Sequence, residues 1–157
     1  GVPNLLMETV CATGIRVGEV RYITVEAARR GRADIALKGK LRTILLPARL
    51  CRRLLKFAGK NKIAFGAIFL TKSGRPLSRT QIWAEMKCLC AKAGVAAEKV
   101  FPHNLRHLFA RTFYESCRDV VKLADILGHS SVETTRLYLL TTGAEHLRQL
   151  ERLRLLC

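Results

Sequence analysis

Apolar positions come in short bursts along this chain, and the spacing within a burst alternates between helical and extended. Residues 4–12 (NLLMETVCA) read as part of a helix that stops near Thr13 and Gly14. Residues 16–22 predict a second short helix. ADIAL (33–37) and RTILL (42–46) flank KGKL (38–41), which predicts a hairpin with Gly39 in its turn. Pro47 opens a helix whose Leu50, Leu54, Leu55 and Ala58 form an apolar stripe. AIFLT (67–71) reads as a third short strand, followed by the turn KSGRP (72–76).

Beyond residue 77 the pattern is helical throughout. Ser78 and Gln81 fit a capping box for a helix running to about Ala93, with Gly94 as its stop. Trp83 falls in this helix, either as a core residue or as a stacking surface. Pro102 precedes a helix from His103 to about Cys117, Asp119 caps VVKLADIL, and Gly128 ends it. Ser130 and Glu133 fit a further capping box for a helix through Tyr138. Thr142 and Glu145 cap a last helix with Leu147, Leu150 and Leu153 on one face. The order predicts an α+β domain, mostly α, with a small antiparallel sheet packed on a helical core.

Charge changes this picture more than composition does. The 157 residues carry 28 Lys plus Arg against 12 Asp plus Glu, a net charge of +16. Residues 29–62 hold twelve basic residues and one acidic residue, Asp34. Repulsion over one such face is explained most simply by a polyanionic partner, nucleic acid before an anionic membrane surface. The longest apolar runs fall far short of the roughly 18 residues that a membrane span needs. The six cysteines fit reduced thiols better than a disulfide scaffold in a chain of this size. Cys88 and Cys90 make a CxC pair with no second half of a zinc site.

Two segments carry candidate chemistry. In HNLRH (103–107), His103 and His107 lie four apart, but no nearby carboxylate or thiolate completes a metal site. His103 and Arg106 are one turn apart, just after Pro102. There they make either an anion site at a helix N-terminus or an ordinary capped helix with a surface arginine. In LGHSSVETTRLY (127–138), Tyr138 stands nine residues after His129. It is either a core residue or a nucleophile, and a phenol with a pKa of about 10 needs a base and nearby cations to attack a phosphate.

Taken together these motifs resemble the catalytic domain of the tyrosine recombinase (phage integrase) family. ATGIRVGEV (12–20) resembles the family's Thr-Gly-x-Arg-x-x-Glu segment, and KGKLRTILLP (38–47) its lysine hairpin. HNLRH resembles its His-x-x-Arg motif, and LGHSSVETTRLY its His-plus-Tyr motif. The four stand in family order from residue 12 to residue 138.

The resemblance implies a site-specific recombinase or integrase, of phage or mobile-element type, that breaks and rejoins DNA through a 3′-phosphotyrosine link and a free 5′ hydroxyl. Arg16 and Arg106 would grip the nonbridging phosphate oxygens. Lys38 would protonate the leaving 5′ oxygen, although KGKL is about one residue shorter than the common family hairpin and leaves Lys40 as an alternative. His103 would assist proton transfer, His129 would hydrogen-bond the phosphate, and Tyr138 would attack. Glu19 would be structural, pairing with a buried arginine or a backbone group. Two Arg, one Lys and two His can do this work without metal ions, ATP or another cofactor. Arg29, Arg30, Arg32, Lys40 and Arg42 are the further DNA-binding candidates.

The expected partners are double-stranded DNA and further copies of the chain, as a tetramer on DNA, with no membrane. The expected location is cytoplasmic and nucleoid-associated. The first helix starts abruptly, so 1–157 reads as the catalytic domain alone, a fragment without the family's core-binding and arm-binding domains. Residues 143–157 would form a helix packing on their own domain or on a neighbouring subunit. A type IB topoisomerase shares the chemistry, and a non-catalytic DNA-binding protein would need only the charge.

Overall fold

The computed structural model describes residues 1–37, 39–96, 98, 102–129, 131–138 and 152, with the side chains of Leu37, Lys40, Glu133, Leu137 and Tyr138 outside that set. Helix α1 (Val2–Thr13) buries Leu5, Leu6, Thr9 and Val10 and ends at Gly14, whose φ is 64°. Glycine is needed there twice over, because a Cβ would stand 2.5 Å from Phe109 Cδ1. A 3-10 helix (Val17–Tyr22) follows, then α2 (Val25–Arg30), capped by Thr24, whose hydroxyl accepts from Ala27 N at 3.0 Å. The sequence pattern did not predict α2. Six residues are less than two turns, too short to show a 3.6-residue period.

Strands β1 (Arg32–Leu37) and β2 (Lys40–Leu45) pair antiparallel from Arg32↔Leu45 to Leu37↔Lys40. Pairing therefore reaches into the segment read as turn, making the hairpin tighter than expected. Gly39 takes φ 75°, as a two-residue hairpin connection demands. Alternation sends Ala33, Ile35 and Ile44 into the core, while Leu41 and Leu45 face outward. Residues 67–71 do not join this sheet. They make isolated bridges only, Thr24↔Ala67 and Leu70↔Pro76, with Ile68 and Phe69 buried between them. A run of apolar β-formers is thus used here as buried extended chain.

Helix α3 (Ala48–Lys60) lays Leu50, Cys51, Leu54 and Ala58 on the core. Helix α4 (Arg79–Lys92) starts with the expected reciprocal box: Gln81 N donates to Ser78 Oγ at 3.3 Å, and Ser78 N to Gln81 Oε1 at 2.9 Å. Ile82, Met86 and Cys90 face inward, but Trp83 is 41% exposed with Lys87 Nζ 4.8 Å from its ring centroid. Helices α5 (Pro102–Cys117), α6 (Val120–Leu127) and α7 (Val132–Tyr138) complete the described fold. Ala110, Leu123 and Leu127 pack with Phe109 and Phe113 as a second small core beneath α5 and α6. The architecture is α+β, mostly helical, with a two-stranded antiparallel sheet. No helix among the described residues is long and apolar enough to cross a membrane. The Ser130 box and the helix expected over 143–155 lie outside the described residues, Arg152 excepted.

Candidate active site

Three arginines, a histidine and a glutamate, drawn from four separate stretches of the chain, meet at the C-terminal end of α6. That helix ends in a Schellman arrangement around Gly128, whose φ is 69°. His129 N donates to Ala124 O at 3.0 Å and Gly128 N to Asp125 O at 3.1 Å. The next three carbonyls have no backbone donor of their own helix to turn to, and each receives a guanidinium from a different element. Arg42 Nη2, from β2, donates to Ile126 O at 3.3 Å. Arg106 Nη2, from α5, donates to Leu127 O at 2.6 Å. Arg16 Nη2, at the cap of the 3-10 helix, donates to Gly128 O at 3.3 Å. Cations at a helix C-terminus also complement its dipole.

Glu19 binds the same group together from below. It is 3% exposed, and its carboxylate accepts from Arg42 Nη1, from Arg16 Nη1 at 3.5 Å and from the Arg16 backbone N at 3.0 Å. The last bond holds because Arg16 caps the 3-10 helix and Glu19 is its third residue. Arg106 reaches across to Gly14 O as well, tying the end of α1 to the end of α6. Gly128 is the close-approach position of this assembly: a Cβ there would lie 2.5 Å from both Cδ and Nε of Arg42. Three guanidiniums against one carboxylate leave the cluster net cationic.

His129 sits inside this field. Its Nε2 is 3.2 Å from Arg106 Nη2, and its Nδ1 is 2.8 Å from Thr135 Oγ1. Burial first, then the charges of Arg106, Arg16 and Arg42, push its pKa down to about 4, so the ring is neutral at pH 7. His107 is shifted down too, by burial and then by His103, Arg111 and Arg106.

The sequence-predicted residues separate into three groups. Arg16, Arg106 and His129 are brought together, and Glu19 pairs with a buried arginine, as the resemblance implied; that arginine is Arg42. His103 is exposed on the first turn of α5, and its Nε2 lies 3.0 Å from His107 Nε2. Lys38 lies outside the described residues. Tyr138 closes α7, but its side chain and that of Lys40 lie outside them too.

Among the DNA-binding candidates, Arg29, Arg30 and Arg32 are exposed, with Arg32 Nε 3.6 Å from Asp34 Oδ2. Arg42 needs correction. Its side chain is only 12% exposed and its two terminal nitrogens are committed to Glu19 and Ile126, so it organises the cluster from inside and is no open cation. The charge run in which it sits concealed this, and only the register, which pairs Arg42 with the buried Ile35, puts its side chain on the inner face of the hairpin. Sequence reasoning also passed over Thr135, a wholly buried hydroxyl. Its spacing of six from His129 matches no regular period. Among the described residues, no three metal-ligating side chains gather.

The model of the phage integrase family matches residues 3–144. Among curated relatives, tyrosine recombinase XerH of Campylobacter jejuni is 32% identical over 141 residues, covering 86% of this chain and 40% of that protein. Tyrosine recombinase XerD of Brucella suis is 34% identical over 147 residues, covering 86% of this chain and 47% of that protein. The chain therefore spans less than half the length of these two relatives. Among solved structures, XerA recombinase superposes with a TM-score of 0.78 at 22% identity, over 99% of this chain and 62% of that one. XerH bound to its difH substrate before cleavage gives 0.74 at 24% identity, over 98% of this chain and 45% of that one.

The cluster generates two predictions. Glu19→Gln, which strands Arg42 in a nearly buried position, should cost about 3 kcal/mol in urea unfolding. Adding Arg42→Met should recover part of that loss, whereas additive losses would mean that the pair is not coupled. The second concerns pH. A histidine held neutral when folded takes up its proton in the unfolded chain first, so stability is full above pH 6.5 and declines as pH falls toward about 4. His129→Asn should flatten that part of the melting-temperature profile; the portion due to His107 should persist.

Proposed function

The chain belongs to the phage integrase family, and on that premise we propose that it is the strand-breaking and rejoining module of a site-specific DNA recombinase. The single observation that carries this reading is the convergence of Arg16, Arg106 and His129 on the C-terminal turn of α6. A phosphodiester needs paired cations that do not have to reorganise when its charge redistributes. Here the cations are held by fixed carbonyls and one carboxylate before any DNA arrives. The side chain of Arg16 is 46% exposed, so in this proposal it makes the first contact with a nonbridging oxygen. Arg106, 3% exposed, supplies charge beneath the phosphate and holds His129.

The remaining roles follow from the family pattern and are part of the proposal. Tyr138 gives up its phenolic proton with the help of His103 and attacks phosphorus, the bond to the 5′ oxygen breaks as that oxygen takes a proton from Lys38, and the phosphate becomes esterified to the phenol. His103 assists proton transfer and His129 hydrogen-bonds a phosphate oxygen. Reversal by a 5′ hydroxyl reseals the strand, and the bond energy is kept in the ester, so the cycle needs no nucleotide. Double-stranded DNA is the proposed substrate, met by the exposed arginines 29, 30 and 32 and gathered between several copies of the chain. The likeness of this fold to a XerH recombinase bound to its difH substrate supports that choice.

The test is covalent trapping on a nicked DNA substrate whose cleaved end diffuses away. Unmodified chain should accumulate a protein–DNA adduct, and Tyr138→Phe should form none while binding DNA within about twofold. Arg16→Ala should slow adduct formation by about 10²- to 10³-fold, with a much smaller loss of affinity. An adduct in Tyr138→Phe would overturn the nucleophile. Equal losses of rate and affinity in Arg16→Ala would reduce that residue to a simple anchor.

A further inference from the structure

We propose that Thr135 is a positioning residue for the reaction. It locks the His129 ring to the tyrosine-bearing helix and lets the ring's inner nitrogen change from proton acceptor to proton donor when a phosphate arrives. The proposal rests on the phosphodiester reading above and names a residue to which nothing in that reading gives a role.

A guanidinium has N–H groups and no acceptor. His129 Nε2, 3.2 Å from Arg106 Nη2, must therefore be the acceptor and carry no proton. A neutral imidazole then has its single proton on Nδ1, which donates to Thr135 Oγ1 at 2.8 Å. In the DNA-free protein, the nitrogen facing the arginines is a lone pair. A lone pair repels an anionic oxygen, so His129 as it stands cannot hydrogen-bond a phosphate.

Thr135 resolves this difficulty because a hydroxyl is both donor and acceptor. It accepts from Nδ1–H in the resting state. If the ring takes up a proton as the phosphate offsets the charges of Arg16, Arg42 and Arg106, the same bond persists and Nε2–H turns toward the phosphate oxygen. If the ring instead changes tautomer, the hydroxyl rotates and donates to Nδ1. Either way Nε2 becomes a donor without the ring losing its anchor. Among the described residues, the charged groups facing His129 are Arg106 from α5, Arg16 beside the 3-10 helix and Arg42 from β2, with Glu19 behind Arg16 and Arg42.

The placement of Thr135 adds a second consequence. It is 0% exposed, on α7, three residues before Tyr138 on the same helix. A wholly buried hydroxyl that loses its partner is costly, so the Thr135–His129 bond fixes α7 against the end of α6. Whatever moves α7 moves the ring, and the position of the nucleophile's helix is thereby coupled to the phosphate site.

The test compares Thr135→Val, which keeps shape and removes the hydroxyl, with Thr135→Ser, which keeps the hydroxyl and removes a methyl. Trapping on nicked DNA across pH should show Thr135→Val slowed by about 10- to 100-fold at saturating DNA. Its affinity should stay within about threefold and its pH–rate profile should be displaced from that of the unmodified chain. Thr135→Ser should recover most of the rate and the original profile. A Val variant with unchanged rate and profile would overturn the proposal, as would a Ser variant impaired as much as Val, which would assign the effect to packing.

Nitrogen–proton NMR of the DNA-free chain reads the ring directly. A persistent Nδ1–H signal of His129 is expected in the unmodified chain and Thr135→Ser, and its loss by solvent exchange in Thr135→Val. A proton found on Nε2 in the unmodified chain would overturn the assignment. If the unmodified chain forms no adduct at all, the phosphodiester reading fails, and the NMR comparison still decides whether Thr135 holds the ring.

Discussion

The end of one eight-residue helix governs how this molecule is put together. Helix α6 finishes with carbonyls that its own backbone does not satisfy, and the chain meets that demand with arginines from three separate elements. The same bonds collect positive charge at one point. A structural requirement, that C-terminal carbonyls find donors, and a chemical one, that an anion find fixed cations, are met by the same guanidiniums. Glu19 makes the crowding tolerable. Without its carboxylate, Arg16 and Arg42 would face each other across a poorly solvated gap.

This economy explains why several small residues matter. Among the described glycines, Gly14 and Gly128 are the two where backbone with positive φ meets a large side chain at close range, Phe109 in one case and Arg42 in the other. Both glycines also offer a carbonyl to the cluster. The ends of α1 and α6 are thus fastened to each other through Arg106, which explains how an arginine comes to be 3% exposed in so basic a chain. His129, entering directly after Gly128, is held neutral first by its burial and then by the charges of Arg106, Arg16 and Arg42. That neutrality gives a threonine hydroxyl at its far nitrogen something to do.

Much of this was legible in the sequence. Helix limits were marked by residues with local jobs: Gly14, Gly94 and Gly128 as stops, Ser78 with Gln81, and Asp119 as caps. The hairpin followed from the two short runs ADIAL and RTILL flanking KGKL, with Gly39 in the turn. The relation between Arg16, Arg106 and His129 came from their motifs, since no periodicity joins residues 16, 106 and 129. What escaped detection was whatever depends on a contact across elements. Residues 67–71 look like a strand and are held as extended chain by single bridges on either side. Arg42 looks like one more surface cation and is the deepest partner of Glu19. Trp83 could be read as core or as surface, and only the packing of α4 left it partly open beside Lys87.

A crystal structure of the chain on a DNA duplex is the most direct test of the central claim, that the arginines gathered by α6 form a seat for one phosphodiester. The account predicts a single backbone phosphate within hydrogen-bonding distance of the Arg16 guanidinium and His129 Nε2, with Arg42 still bound to Glu19 and the Ile126 carbonyl. DNA lying against residues 29–32 with no phosphate at the end of α6, or a cluster that comes apart when DNA binds, would contradict it.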